Sequence, residues 1–197
     1  MMMLSRRLVL IFTWMFTWFV TSTLPVTWMW RDGAKSADSY GTDISEIPAH
    51  SLAFPGSRSG MASSLALANG TTTVTVFGGL GRLLQGGTGR LNDLWQFKEE
   101  NDEHEWTWVR VGGAAVINSP GVYSALGAPA TINWPGGRSG HAMWAANDSF
   151  YVFGGRGYGR QGTSLEFLND LWQFKDGLWT WLGGHDTPGS ANSYGSR

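Results

Sequence analysis

The sequence predicts an all-β chain of short antiparallel strands gathered into four-stranded sheets, preceded by an N-terminal hydrophobic helix. Three observations carry this expectation. The heptapeptide Leu-Asn-Asp-Leu-Trp-Gln-Phe occurs at 91–97 and again at 168–174, an offset of 77 (168 minus 91). Seven identical residues in a row mark an internal repeat. Glycine (28) and tryptophan (12) are both abundant, as expected where tight turns join short strands anchored by aromatic side chains. Beyond residue 25, β-branched and aromatic runs alternate with Asn, Asp and Gly turn signals, without an amphipathic helical period.

Residues 1–25 differ in character. Arg6 and Arg7 precede the apolar run from Leu8 to Val20, 13 residues (20 minus 7). That length suits a signal-peptide core and falls short of the roughly 20 residues that span a bilayer. The segment reads as a secretory signal peptide, or as a signal anchor if uncleaved, since an A-x-A cleavage site is missing. The tripeptides Asn69-Gly70-Thr71 and Asn147-Asp148-Ser149 are N-glycosylation acceptors in a secreted chain. The expected location is therefore secreted or at the extracellular surface, with membrane contact only through the N-terminal segment.

The units follow in order. Val26-Thr27-Trp28 with Ser39-Tyr40-Gly41 matches Trp179-Thr180-Trp181 with Ser193-Tyr194-Gly195, so 26–57 reads as the fourth strand of a preceding unit plus its connection. A complete unit spans 58–110, and it holds four strand candidates: after Arg58-Ser59-Gly60, at Thr71–Val76, at Leu91–Phe97 and at Trp106–Val109. A connection covers 111–137, a second unit covers 138–182, and 183–197 is a truncated connection. In each unit, Gly78 and Gly79 or Gly154 and Gly155 supply positive φ or close approach where the second strand ends. Asn92 and Asp93, like Asn169 and Asp170, fix the turn into the third strand by bonding neighbouring amides. Trp95, Trp106, Trp172 and Trp179 are core anchors, and Arg58 and Arg138 hydrogen-bond loop carbonyls.

These words resemble the kelch repeat: a double glycine ending the second strand, Asn-Asp opening the third, an aromatic within it and a Trp in the fourth. The Leu-Asn-Asp-Leu-Trp and Trp-Thr-Trp wording is similar to extracellular multi-repeat kelch proteins, over roughly residues 26–197. The resemblance implies a partial β-propeller whose blades are four-stranded antiparallel sheets. Two complete blades and a lone strand fall short of the ~4–8 that close a propeller, which implies a piece of a longer propeller or closure by self-association.

Composition excludes several functions. A formal net charge of −1 provides no field for nucleic acid. Without cysteine there is no disulfide, no thiol catalysis and no Cys-ligated zinc, nor the Cys-Tyr cofactor that a likeness to galactose-oxidase-like copper enzymes brings to mind. His50, His104, His141 and His185 show no metal-ligand spacing. Gly157 to Gly162 satisfies G-x-G-x-x-G but leads into a strand, so the helix N-terminus that holds a pyrophosphate is lacking. No enzyme activity and no cofactor are expected.

The expectation that remains is a non-catalytic binding module for a protein or glycan. Alternatives are a membrane-tethered structural protein with an uncleaved anchor, and a remnant of a propeller enzyme whose active site is missing. In an up-and-down sheet the loop between strands two and three shares a side with the inter-unit connection. One side thus collects 80–90, 156–166 and 110–137, with Arg82, Arg90, Tyr123, Trp134, Arg156, Tyr158 and Arg160 as candidate binding residues of hot-spot type. Against this, the recurrence of Tyr40, Tyr123 and Tyr194 at one place in three connections argues for packing, and the loop arginines read equally well as solvated charges.

Overall fold

The computed structural model describes residues 54–68, 71–83, 87–100 and 105–191. The expected N-terminal helix and leading Trp28 strand, with Tyr40, Asn69 and Tyr194, lie outside them. The described residues are all-β, with antiparallel pairing throughout and no helix.

The first sheet contains β1 (Arg58–Ser59), β2 (Ala62–Ala68), β3 (Thr71–Leu83), β4 (Gly87–Glu100) and β5 (Glu105–Gly112). β1 and β2 lie along the same edge of β3, and the order continues through β4 to β5, a four-stranded meander. After the short β6 (Pro129–Ala130), the second sheet repeats the pattern with β7 (Arg138–Ser139), β8 (Ala142–Ala146), β9 (Ser149–Gly157), β10 (Glu166–Lys175) and β11 (Leu178–Gly183). β6 adds to the β11 edge. Both heptapeptides are interior strands, β4 and β10.

Tight turns fix the register. Ala146 pairs with Ser149 around Asn147 (φ 48°) and Asp148 (φ 57°). Lys175 pairs with Leu178 around Asp176 (φ 50°) and Gly177 (φ 79°). Two consecutive left-handed residues make the type I′ geometry whose twist suits a hairpin, and Asn, Asp and Gly accept it at least cost.

The strands depart from expectation at three places. The double glycines do not end the second strand: β3 runs on to Leu83 and β9 to Gly157. Asn-Asp does not form a turn either. Phe77 pairs with Leu94 and Gly79 with Leu91, so Gly78 faces the two residues Asn92 and Asp93 across a bulge. Phe153–Leu171 and Gly155–Leu168 bracket the same bulge at Asn169 and Asp170. Glycine is required at its bottom: Gly78 has φ 60°, and a Cβ there would stand 2.9 Å from the carbonyl oxygens of Leu91 and Arg138. The glycine-rich stretch after Leu80, read as loop, is mostly hairpin, with Leu80–Arg90, Gly81–Gly89 and Arg82–Thr88 paired.

The core lies between the sheets. Phe77 and Leu94 of the first meet Val152, Trp172, Phe174 and Trp179 of the second, with Tyr123 of the connection packed in. Phe77 meets the Trp179 ring at 5.4 Å, and Trp172 stands perpendicular to Trp179 at 6.3 Å. Such pairs add about 0.5–1.5 kcal/mol each beyond the area they bury. The two Arg-Ser-Gly turns also touch, Gly140 N donating to Gly60 O at 2.7 Å.

Candidate functional site

The polar words of the repeat form a lock in each sheet. Arg58 opens β1 and points its fork at the bulge of β4, donating to Asp93 Oδ1 at 2.7 Å and Oδ2 at 2.8 Å. Its Nε bonds Gly56 O and its Nη1 also bonds Gly78 O. Trp95 Nε1 donates to Asp93 Oδ2 at 2.6 Å. The second sheet repeats this atom for atom: Arg138 bonds both Asp170 oxygens at 2.7 and 2.8 Å, Gly136 O and Gly154 O, and Trp172 Nε1 bonds Asp170 Oδ2 at 2.6 Å. The expected bonds from Arg58 and Arg138 to loop carbonyls are present, and a bidentate carboxylate accompanies them.

Burial sets the electrostatics of the second lock. Arg138 and Asp170 have no exposed side-chain surface. Burial alone would raise the Asp170 carboxyl; the Arg138 charge and three hydrogen-bond donors outweigh it and hold the group below its ordinary range. Tyr123 donates its hydroxyl to Asp170 Oδ2 at 2.7 Å, and burial together with that carboxylate pushes its pKa up. Nε, Nη1 and Nη2 of Arg138 all donate to protein oxygens. The lock holds structure together and offers nothing to a ligand.

His141 lies beside it, 7% exposed and edge-on to Phe77 at 5.4 Å. Neither ring nitrogen has a hydrogen-bond partner. Burial first, then the Arg138 charge, lower its pKa to about 3, so it is a neutral packing group at neutral pH. Metal-ligand spacing in the sequence gives no hint of this role. Its signal was positional: it stands where the first unit has Met61. Among the described residues no group of three metal-ligating side chains occurs.

Outside the lock the three long segments meet on one side. The connection is stitched to both hairpins: Asn118 N donates to Arg90 O and Asn118 Oδ1 accepts from Arg90 N, at 2.7 and 2.9 Å. Gly121 N donates to Gly159 O, and Tyr158 N to Gly137 O, both at 3.0 Å. Arg90 Nε reaches across to Arg156 O at 3.2 Å. Arg160 bonds Tyr123 O at 2.7 Å, pairs with Asp186 and sits 5.4 Å above the Tyr123 ring. Arg90, Arg156, Tyr158 and Arg160 thus come together, with Arg156 and Arg160 exposed. Arg82, half-buried, extends the same side on β3.

Two candidates leave the surface set. Tyr123 is 3% exposed and committed to Asp170, so it packs and does not meet a ligand. Trp134 is half-buried against Gly112 and Trp179, with its Nε1 on Asn92 O. Asn92 and Asn169 do bond backbone amides, though those of the segments after the fourth strand: Ala114 N and His185 N, both at 2.9 Å. Trp172 and Trp179 are fully buried and Trp95 nearly so, whereas Trp106 is half-buried against Phe97. Asn147 is exposed at its turn. Nothing in the local sequence of Asp186, which fixes Arg160 from the last segment, marks a partner 26 residues away.

No protein-family model matches the chain, and no curated protein matches it.

Proposed function

We propose that the chain is a non-catalytic kelch-repeat module of a β-propeller, secreted or held at the extracellular surface, that recognises a protein or glycan through the side where the long segments meet. One observation carries this reading: the repeat's polar residues are consumed by internal locks, while Arg90, Arg156, Tyr158 and Arg160 converge on one side from two separate hairpins. Arg and Tyr combine charge, hydrogen bonding and a flat apolar face, the mixture that dominates binding hot spots. The kelch reading draws support from two meanders of four strands with the double glycine and Asn-Asp at matched places. Asn147 is exposed on a turn between β8 and β9, a site suited to a glycan.

Gln161→Asn turns Gln161-Gly162-Thr163, with Gln161 exposed, into a glycosylation acceptor beside Arg160. Expressed through the secretory route, the wild-type chain should capture a ligand from a glycan array or a panel of cell-surface proteins. The glycosylated variant should lose that capture while keeping its melting temperature. Undiminished capture defeats the proposal. An Asn147→Gln chain, altered on the opposite side, should bind as wild type.

A further inference from the structure

The residue just before the heptapeptide is Arg90 in the first copy and Phe167 in the second. Each belongs to a cross-strand row of three. In the first sheet Ser59, Leu80 and Arg90 stand side by side, and in the second Ser139, Arg156 and Phe167 hold the same places. Arg90 crosses from one row to the other, its Nε donating to Arg156 O at 3.2 Å, so the two rows share one surface. Arg82 and Thr88 make the next row beyond Leu80 and Arg90.

The guanidinium groups there are placed to meet an anion. Arg90 is held by Asn118 at its backbone N and O and by Arg156 O at its Nε, which leaves Nη1 and Nη2, and no protein acceptor bonds the Arg156 fork among the described residues. Neither side chain forms an ion pair among those residues. The carboxylates of Asp93, Asp170 and Asp186 are committed to Arg58, Arg138 and Arg160. Glu166 pairs with Gly157, so strand alternation puts its side chain on the face away from Arg156. Two neighbouring forks without a counter-ion favour an oxyanion that both can grip.

The rest of the surface narrows the ligand. Phe167 is 73% exposed beside Arg156, and the hydroxyls of Ser59 and Ser139 flank the two rows. An aromatic face attracts the slightly positive C–H edges of a sugar ring, and hydroxyls can both donate to and accept from its own. An extended peptide is held largely by main-chain bonds, and here the main chain is spent: Asn118 takes Arg90 N and O, while Arg156 lies between β7 and β10 with its carbonyl on Arg90. Recognition therefore falls to side chains.

We propose that Arg90 and Arg156 bind a sulfate or carboxylate group of an acidic oligosaccharide, with Phe167 stacked on the adjoining sugar ring. The inference rests on the ligand side proposed above and gives its ligand a chemical class.

Fluorescence anisotropy at about 0.15 M salt tests it, with a labelled heparin octasaccharide, its desulfated form that keeps only carboxylates, neutral maltooctaose and a polyglutamate peptide as probes. The wild type should bind heparin or its desulfated form, the tighter of the two naming the anion, and should ignore maltooctaose. Arg90→Ala and Arg156→Ala should each weaken binding about 10-fold or more. Arg156→Lys keeps the charge and removes the fork, so its loss should be intermediate. Phe167→Ser should cost about 3-fold or more. All four should melt as wild type, because these side chains are exposed or half-buried. Anion binding that none of the substitutions changes overturns the proposal, as does maltooctaose bound as tightly as heparin. Polyglutamate bound more tightly than either acidic sugar also overturns it, and assigns the side to an acidic protein. A wild type that binds no acidic sugar, while its ligand capture is lost on Gln161→Asn, overturns this inference and leaves the wider reading standing. Capture that survives Gln161→Asn defeats the wider reading, and arginine-dependent heparin binding then supports the anion site alone.

Discussion

The first and second sheets share a heptapeptide, a bulge and a lock, yet they differ where the chain leaves the motif. In the first, β3 and β4 continue past the double glycine as a long hairpin; in the second, β9 stops at Gly157 and residues 158–165 fold back onto the connection and Asp186. Identical words give identical locks, while unequal segments give unequal surfaces. Changes in the lock should cost stability, and changes in the long segments should cost recognition.

The largest effect should come from removing a lock carboxylate. Asp170→Ala leaves the Arg138 charge buried without its counter-ion, and the Tyr123 hydroxyl and the Trp172 indole N–H without an acceptor, and such losses cost about 3–5 kcal/mol. Asp93→Ala should cost less, because Arg58 and Asp93 keep about 5% and 4% of their side-chain surface in solvent. Chemical denaturation of both variants checks the order, and equal losses would break the comparison.

Acid should separate the sheets next. The unfolded chain protonates a histidine near 6.5, whereas folded His141 does so only near 3. Between these values the unfolded state holds the extra proton, so His141 lowers stability as pH falls, by about 1.4 kcal/mol per pH unit. From the ordinary carboxyl value of 3.8 downward Asp170 acts in the same sense, since its folded pKa is depressed and its contribution is lost as pH falls toward that lower value. His141→Met, matching Met61 of the first sheet, should flatten the limb between pH 6.5 and 3 in melting experiments; an unchanged limb would assign it elsewhere.

Gly78→Ala forces a side chain into a left-handed residue against two carbonyl oxygens and should cost about 1–3 kcal/mol. Gly87→Ala has φ 71° but open space around it, and about 1 kcal/mol is expected. Of similarly small size, Tyr123→Phe removes one of the donors on Asp170 while keeping the ring packed on Trp172, a loss of about 1–2 kcal/mol in the same assay.

The strands and hairpin turns were legible because they are local: Asn147-Asp148 and Asp176-Gly177 announce left-handed pairs, and Trp-Thr-Trp announces an anchored strand. The lock was half legible. Arg58 and Arg138 recur at an offset of 80 (138 minus 58) and Asp93 and Asp170 at 77 (170 minus 93), but their pairing spans 35 and 32 residues, beyond any local rule. The continuation of β3 and β4 was hidden by its glycines. Those read as loop, whereas Gly81 and Gly89 are there because a Cβ would meet Arg58 and Ile117 Cβ atoms at 2.9 and 2.7 Å. The sequence around Tyr123 fits packing and binding alike, and its buried hydroxyl on Asp170 decides for packing. The side on which the long segments meet followed from strand direction alone, since an up-and-down sheet alternates its loops.

The repeated Arg and Asp form a structural pair and not a ligand site. A double-mutant cycle with Arg138→Ala, Asp170→Ala and their combination tests it by urea denaturation. The pair predicts strong coupling, with the double variant losing about as much as either single one, and a parallel cycle at Arg58 and Asp93 giving the same sign. Additive losses in both sheets would contradict it.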